Sequence, residues 1–203
     1  RSVGRINAAL EAAGLADNTV VIFSSDNGGA GYIGLPEVNA PYRGFKLTNF
    51  EGGLRVPMFV KWPAKIQPGT RVDQPVAHVD VMPTLASAAR APLPEGVIID
   101  GVNLLPLATG QDNEPWSRET LYWQSGYYRV VRHGHWKLQI SDRPSKAWLY
   151  DLEIDPTEQN NLVEERPDKL AELQALLDAH KAAGIDPLYP YVVEMPVGID
   201  KSL

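Results

Sequence analysis

The apolar positions change period as the chain runs, and each change marks an element. Val3, Ile6, Leu10 and Ala13 recur at helical spacing, and Gly14 follows where a left-handed cap would end a helix, so residues 2–13 read as helix. After the polar joint Ala16-Asp17-Asn18, the run Thr19-Val20-Val21-Ile22-Phe23 is short, continuous and rich in β-branched side chains, as in a strand buried on both faces. Helix then buried strand is one half of a parallel α/β sheet, where ligands collect beyond the carboxyl ends of the strands. Ser24-Ser25-Asp26-Asn27-Gly28-Gly29 falls at that position. Residues 28–44, rich in Gly and holding Pro36 and Pro41, read as an irregular loop, and residues 56–62, ended by Pro63, as a second buried strand. Asp80 is placed to cap a helix running to Ala89, with Pro83 tolerated in its first turn.

Pro, Gly and Asn at intervals between Pro92 and Pro115 predict a connecting segment. The texture then changes. Leu121 to Trp123, Tyr127 to Arg132, Trp136 to Ile140 and Trp148 to Leu152 are aromatic and β-branched runs parted by turn residues, the pattern of an antiparallel meander. Leu170, Leu173, Leu176 and Leu177 predict a helix opening near Pro167-Asp168 and ending before Gly184. Residues 186–203, with three prolines and no periodicity, read as a surface tail. The expected organisation is a mixed α/β part over residues 1–115 and a subdomain of antiparallel sheet, packed helix and tail over 116–203.

Composition narrows the function classes. A chain of 203 residues with 44% hydrophobic and 22% charged residues is globular, with room for one core or a core and a small appendage. The net charge of −6 is interspersed and offers no footprint for nucleic acid or an anionic membrane. With no cysteine, these residues hold no disulfide, thiolate metal site or cysteine nucleophile. No apolar run reaches the roughly 20 residues that span a bilayer. The chain starts at Arg1, already inside an amphipathic pattern, and so reads as cut from something longer.

Asp26 and Asn27 offer a carboxylate and an amide oxygen side by side, hard ligands of the kind Ca²⁺ or Mg²⁺ takes. Asn-Gly is equally a favoured turn dipeptide, and two ligands are too few for a site. Lys46, in Arg43-Gly44-Phe45-Lys46, lies between Gly-bearing segments that lead into a strand; it is either a solvated charge or a cation aimed at the same crevice. Glu51 and Arg55 read as shaping the Gly52-Gly53 turn. His78 reads as scaffold, His133 and His135 as hairpin residues forming neither a triad nor a metal site, and His180 as a cation suited to a helix end. The aromatics of the meander read as its core rather than as a sugar platform.

Ser-Ser-Asp-Asn-Gly after a strand, then Arg-Gly-Phe-Lys, then Glu-Gly-Gly-Leu-Arg-Val-Pro, resembles the C-terminal half of the sulfatase catalytic domain. The resemblance extends through Val79 to Leu85 and through Leu149-Tyr150-Asp151-Leu152, Asp155-Pro156-Thr157-Glu158 and Asn161-Leu162, covering about residues 1–180. It implies the C-terminal part of an alkaline-phosphatase-like mixed sheet domain, with Asp26 and Asn27 as ligands of one divalent cation, usually Ca²⁺ with Mg²⁺ possible, and Lys46 on the sulfate as catalytic and substrate-binding cation. The family nucleophile is a formylglycine made from a Cys or Ser in an N-terminal motif that is not among these residues, so the chain alone is expected to be inactive. A sulfated small molecule or carbohydrate is the implied partner, and a periplasmic or extracellular setting the implied location. A phosphodiesterase or phosphonate monoester hydrolase on the same scaffold is the nearest rival, and a non-catalytic carbohydrate-binding relative the next.

Overall fold

The structure, a computed structural model, describes residues 1–35, 37–111, 116, 118–142 and 144–185. The tail expected over residues 186–203 lies outside them. Contacts divide the chain into two compact units that do not follow chain order: Arg1–Phe23 with Met58–Ser117, and Ser24–Pro57 with Arg118–Leu203.

The first unit opens with α1 (Ser2–Ala12), ended at Gly14 with φ +70°. Its apolar stripe is not buried: Val3 and Ile6 stay 41% and 55% exposed. The strand expected over Thr19–Phe23 is β1 (Val21–Ser24), paired with β2 (Met58–Lys61) in a two-stranded sheet. Neither strand is buried on both faces, which corrects the sequence reading. A strand is covered only when elements pack on both sides of it, and here Phe23 and Phe59 stay exposed, their rings 6.2 Å apart. Lys61 reaches Glu11 of α1 at 3.7 Å, an exposed pair.

A 3-10 turn at His78–Asp80 leads into α3 (Val81–Ala89), with Arg90 left-handed after it. Asp80 stands where a cap was expected, yet its carboxylate does not bond into the first turn of α3. Fully buried, it accepts the Ala77 N–H at 2.7 Å and the Val102 N–H at 2.9 Å. Thr84 accepts the Leu104 N–H at 2.9 Å. The segment expected to be a plain connection is thus stitched to α3 by side chains, and it carries a short helix, α4 (Leu105–Thr109).

The second unit is built on the expected meander: β3 (Thr120–Ser125), β4 (Tyr128–His133), β5 (Trp136–Asp142) and β6 (Ser145–Asp151), antiparallel in that order. Register places Val131, Leu138 and Leu149 side by side on one face. Leu173 and Leu177 of α5 (Pro167–Ala183) pack on that face with Trp136, all nearly fully buried. Burying each leucine contributes about 1.5–3 kcal/mol. His180 near the end of α5 stacks on Tyr122 with ring centres 4.0 Å apart. On the alternate positions of β5, Lys137, Gln139 and Ser141 are as buried as the leucines, because residues 24–57 cover the opposite face. Phe50 packs there on Trp148 and Tyr150. No described helix is long and apolar enough to cross a membrane.

Candidate functional site

Asp26 is exposed and Asn27 half-buried in the loop that follows β1. Among the described residues neither side chain has a hydrogen-bond or ion-pair partner, so both oxygens are open to a ligand. The loop itself is closely held. Ser25 donates its hydroxyl to the Asn27 carbonyl at 2.8 Å, and the Gly28 N–H donates to the Gly53 carbonyl at 2.9 Å. Gly28 lies so near the next turn that a Cβ there would overlap the Gly52 carbonyl oxygen. Asn39 takes the Gly29 N–H at 2.6 Å and donates its amide to the Gly29 and Gly44 carbonyls at 2.9 and 3.1 Å.

Lys46 joins the same loop, its main-chain N–H donating to the Gly29 carbonyl at 3.1 Å. Its half-buried side chain has no hydrogen-bond or ion-pair partner among the described residues. The next residue, Leu47, has φ +84°, a left-handed conformation that costs a bulky side chain energy and persists where its surroundings over-determine it. Asp26, Asn27 and Lys46 therefore sit on loops fastened to each other through Gly29 and Asn39.

The turn behind them is the one-turn helix α2 (Glu51–Leu54). Gly52 donates its N–H to the Arg43 carbonyl at 2.6 Å, and a Cβ on Gly52 or Gly53 would overlap backbone carbonyls of residues 43–48. Glu51 is buried, and its carboxylate accepts from the fully buried Lys137 ammonium at 2.8 Å. Lys137 also meets Glu158 at 2.9 Å, while the other Glu158 oxygen takes the Glu51 main-chain N–H at 2.5 Å. Burial raises the Glu158 carboxyl above its ordinary range, against the pull of Lys137 and the Glu51 N–H. Arg43 lies over Phe50 and donates to the Tyr150 hydroxyl and the Glu158 carbonyl at 3.0 and 3.1 Å. Arg55 is exposed, over the ring of Tyr42. Burial lowers the affinity of Arg132 for its proton, the nearby Glu51 charge opposing.

Asn39 and Lys137 were not singled out in the sequence, and Glu158 entered only as the last residue of Asp155-Pro156-Thr157-Glu158, with no role assigned. Asn39 carried no signal beyond its place in a Gly-rich loop, and Lys137 looked like the polar side of an alternating strand. His78 is exposed. His135 approaches Asp151 and Glu153 at 3.9 and 4.0 Å, a grouping that its hairpin position had not suggested; His135 and Glu153 are exposed. Surface pairs of this kind contribute little. Among the described residues the Asp26 carboxylate and the Asn27 amide oxygen have no competing partner, a pair of hard oxygen donors that would suit part of the shell of a Ca²⁺ or Mg²⁺ ion.

The family model described as N-sulphoglucosamine sulphohydrolase, C-terminal, matches residues 45–182. Human steryl-sulfatase is 36% identical over 169 residues, covering 78% of this chain and 28% of that protein. The N-acetylgalactosamine-6-O-sulfatase of Bacteroides thetaiotaomicron is 33% identical over 205 residues, covering 89% of this chain and 40% of that protein. A solved structure in complex with its substrate D-glucosamine-2-N,6-O-disulfate superposes with a TM-score of 0.72 at 25% identity, covering 89% of this chain and 37% of that one. The phosphonate monoester hydrolase of Silicibacter pomeroyi, at 19% identity and a TM-score of 0.70 over 91% of this chain and 38% of its own, shares the fold alone. The chain belongs to the sulfatase family of the alkaline-phosphatase-like superfamily. It spans well under half the length of these curated relatives.

Proposed function

We propose that these residues form one wall of an active site that hydrolyses sulfate esters, with Asp26 and Asn27 as ligands of one divalent cation, Ca²⁺ or Mg²⁺, and Lys46 gripping the sulfate. The observation that carries this reading is the fastening of the three residues through Gly29, with no partner for their side chains among the described residues. The cation, when bound, supplies electrostatic stabilisation of charge on the sulfuryl oxygens. Lys46 would hold an oxygen of the sulfate, and the bond from its main-chain N–H to the Gly29 carbonyl ties its loop to the one that carries Asp26 and Asn27. The nucleophile, a formylglycine, comes from residues outside this chain. Sulfated sugars are the proposed substrate class, supported by the sugar sulfate in a related structure and by the named activity of the Bacteroides relative. A periplasmic or extracellular setting accompanies the reading. A phosphate or phosphonate ester substrate is not favoured, since the family model and the similar curated proteins are those of sulfatases.

The test is made in a protein carrying the whole active site. Asp26→Ala with Asn27→Ala should remove bound divalent cation and lower kcat/KM on a sugar sulfate by at least about a hundredfold, the scale of a lost electrostatic clamp. Normal metal content and turnover in that variant would overturn the assignment.

A further inference from the structure

Among the described residues, the loops that carry Asp26, Asn27 and Lys46 contain no regular element longer than the single turn α2, so their geometry has to be imposed from elsewhere. We propose that Lys137, on the antiparallel sheet, is a positioning residue for this wall: its buried ammonium, clamped between Glu51 and Glu158, locks α2, and α2 in turn sets Gly28 and the Asp26-Asn27 pair. The inference rests on the reading of those two residues as metal ligands.

The path is short and every step is a contact. Residue 51 is gripped at two points, its carboxylate by the Lys137 ammonium at 2.8 Å and its main-chain N–H by the Glu158 carboxylate at 2.5 Å. Lys137 bridges to Glu158 at 2.9 Å, so the two grips are coupled. One residue on, Gly52 is bonded to the Arg43 carbonyl, and Arg43 is itself held by the Glu158 carbonyl and the Tyr150 hydroxyl. Gly53 receives the Gly28 N–H, and Gly28 follows Asn27 directly. Gly28 packs backbone against backbone on Gly52, with no side chain between them to absorb a shift. A displacement of α2 is thereby passed to the residue beside the proposed ligands.

Stability alone does not account for the ammonium. Two carboxylates share one buried cation, and a buried ion pair is often matched or bettered by apolar side chains of similar volume. What an apolar residue cannot do is fix the Glu51 carboxylate in direction and distance. That is the property a metal-bearing loop needs, since small misplacements of positioned groups cost large factors in rate. Glu158 holds its place at φ +59°, a strained conformation for a side chain with a Cβ, as expected where neighbours over-determine a position.

The test is hydrogen exchange on the 203-residue chain, comparing wild type, Lys137→Met and Glu51→Gln, with thermal unfolding alongside. Lys137→Met should speed exchange of the Gly28 and Lys46 amides by at least about tenfold, while the Val131 and Leu138 amides inside the sheet change by less than about threefold. Glu51→Gln keeps the shape of the turn and its bond to Glu158, so it should show the same selectivity at smaller size even if Lys137→Met does not fold. In a protein carrying the whole active site, Lys137→Met should raise the Ca²⁺ concentration for half-maximal activity more than it changes KM. A purely structural Lys137 would lower the unfolding temperature and move all amides together; that result, or unchanged Gly28 and Lys46 amides, overturns the proposal. Failure of the metal-ligand reading would appear separately, as retained metal in the Asp26→Ala, Asn27→Ala variant.

Discussion

Glu158 concentrates three unusual properties in one residue: it is fully buried, left-handed, and in contact with both a cation and a main-chain donor. Its raised carboxyl follows from burial first, since Lys137 must serve two carboxylates at once. A carboxyl whose folded value lies above its ordinary 4.5 takes up its proton more readily in the folded chain. Its contribution to stability is therefore complete below that ordinary value and is lost as pH rises through the folded one. Glu158→Gln removes the titration, so the stability advantage of wild type over the variant should shrink as pH rises above 4.5, with a slope of at most about 1.4 kcal/mol per pH unit. Urea unfolding across that range checks it, and a constant difference would show that Glu158 does not titrate differently in the two states. Nothing in the sequence near Glu158 marks this, because its partners Glu51 and Gln139 lie 107 and 19 positions away. Asp26, Asn27 and Lys46, the proposed site residues, stand out in the sequence for the opposite reason: they lie in short spaced motifs. Lys137 was misleading as well as silent. Trp136-Lys137-Leu138-Gln139-Ile140 alternates apolar and polar like a strand with one wet face, yet the polar face is covered.

The elements legible in the sequence were those whose partners are near in the chain. The meander pairs each strand with the next, and α5 packs back on the sheet that precedes it, so period and turn residues sufficed. β1 and β2 were recognisable as strands but not in their surroundings, since a run of apolar residues does not say which elements pack against it, and Phe23 and Phe59 stay exposed. α2 is the opposite case, a turn with little period whose form is dictated by close backbone approach. Gly28→Ala should expose this. A methyl group there overlaps the Gly52 carbonyl, and the two segments must separate, at a cost of about 1–3 kcal/mol for overpacking. The expected outcome is a lower urea midpoint with faster Lys46 amide exchange, and no change in exchange within β4 and β5. Gly4→Ala, inside α1 with open space around the position, should not lower the urea midpoint, since alanine favours helix over glycine, and should leave Lys46 amide exchange unchanged.

At the scale of the whole molecule, the residues with chemical interest do not belong with the strands that lead into and out of them. Residues 24–57 are compact with the antiparallel sheet, although the sequence runs them between β1 and β2. Of the groups that hold this segment, Lys137, Tyr150 and Glu158 all come from beyond residue 118. A chain cut after residue 115 would keep Asp26, Asn27, Lys46 and the whole of α2, and so every motif of the proposed site. It loses the cation that fixes Glu51, the carboxylate that holds its N–H, and the ring surface under Phe50. The charge left behind at Glu51 favours water over its former buried position. The Gly28 and Lys46 amides, both hydrogen-bonded in the 203-residue chain, should then exchange faster by a factor of at least about a hundred, near the rates of an unstructured segment. Retained protection in the cut chain would mean that the loops are self-sufficient. The antiparallel sheet would then be a neighbour of the proposed site rather than the frame that positions Asp26, Asn27 and Lys46.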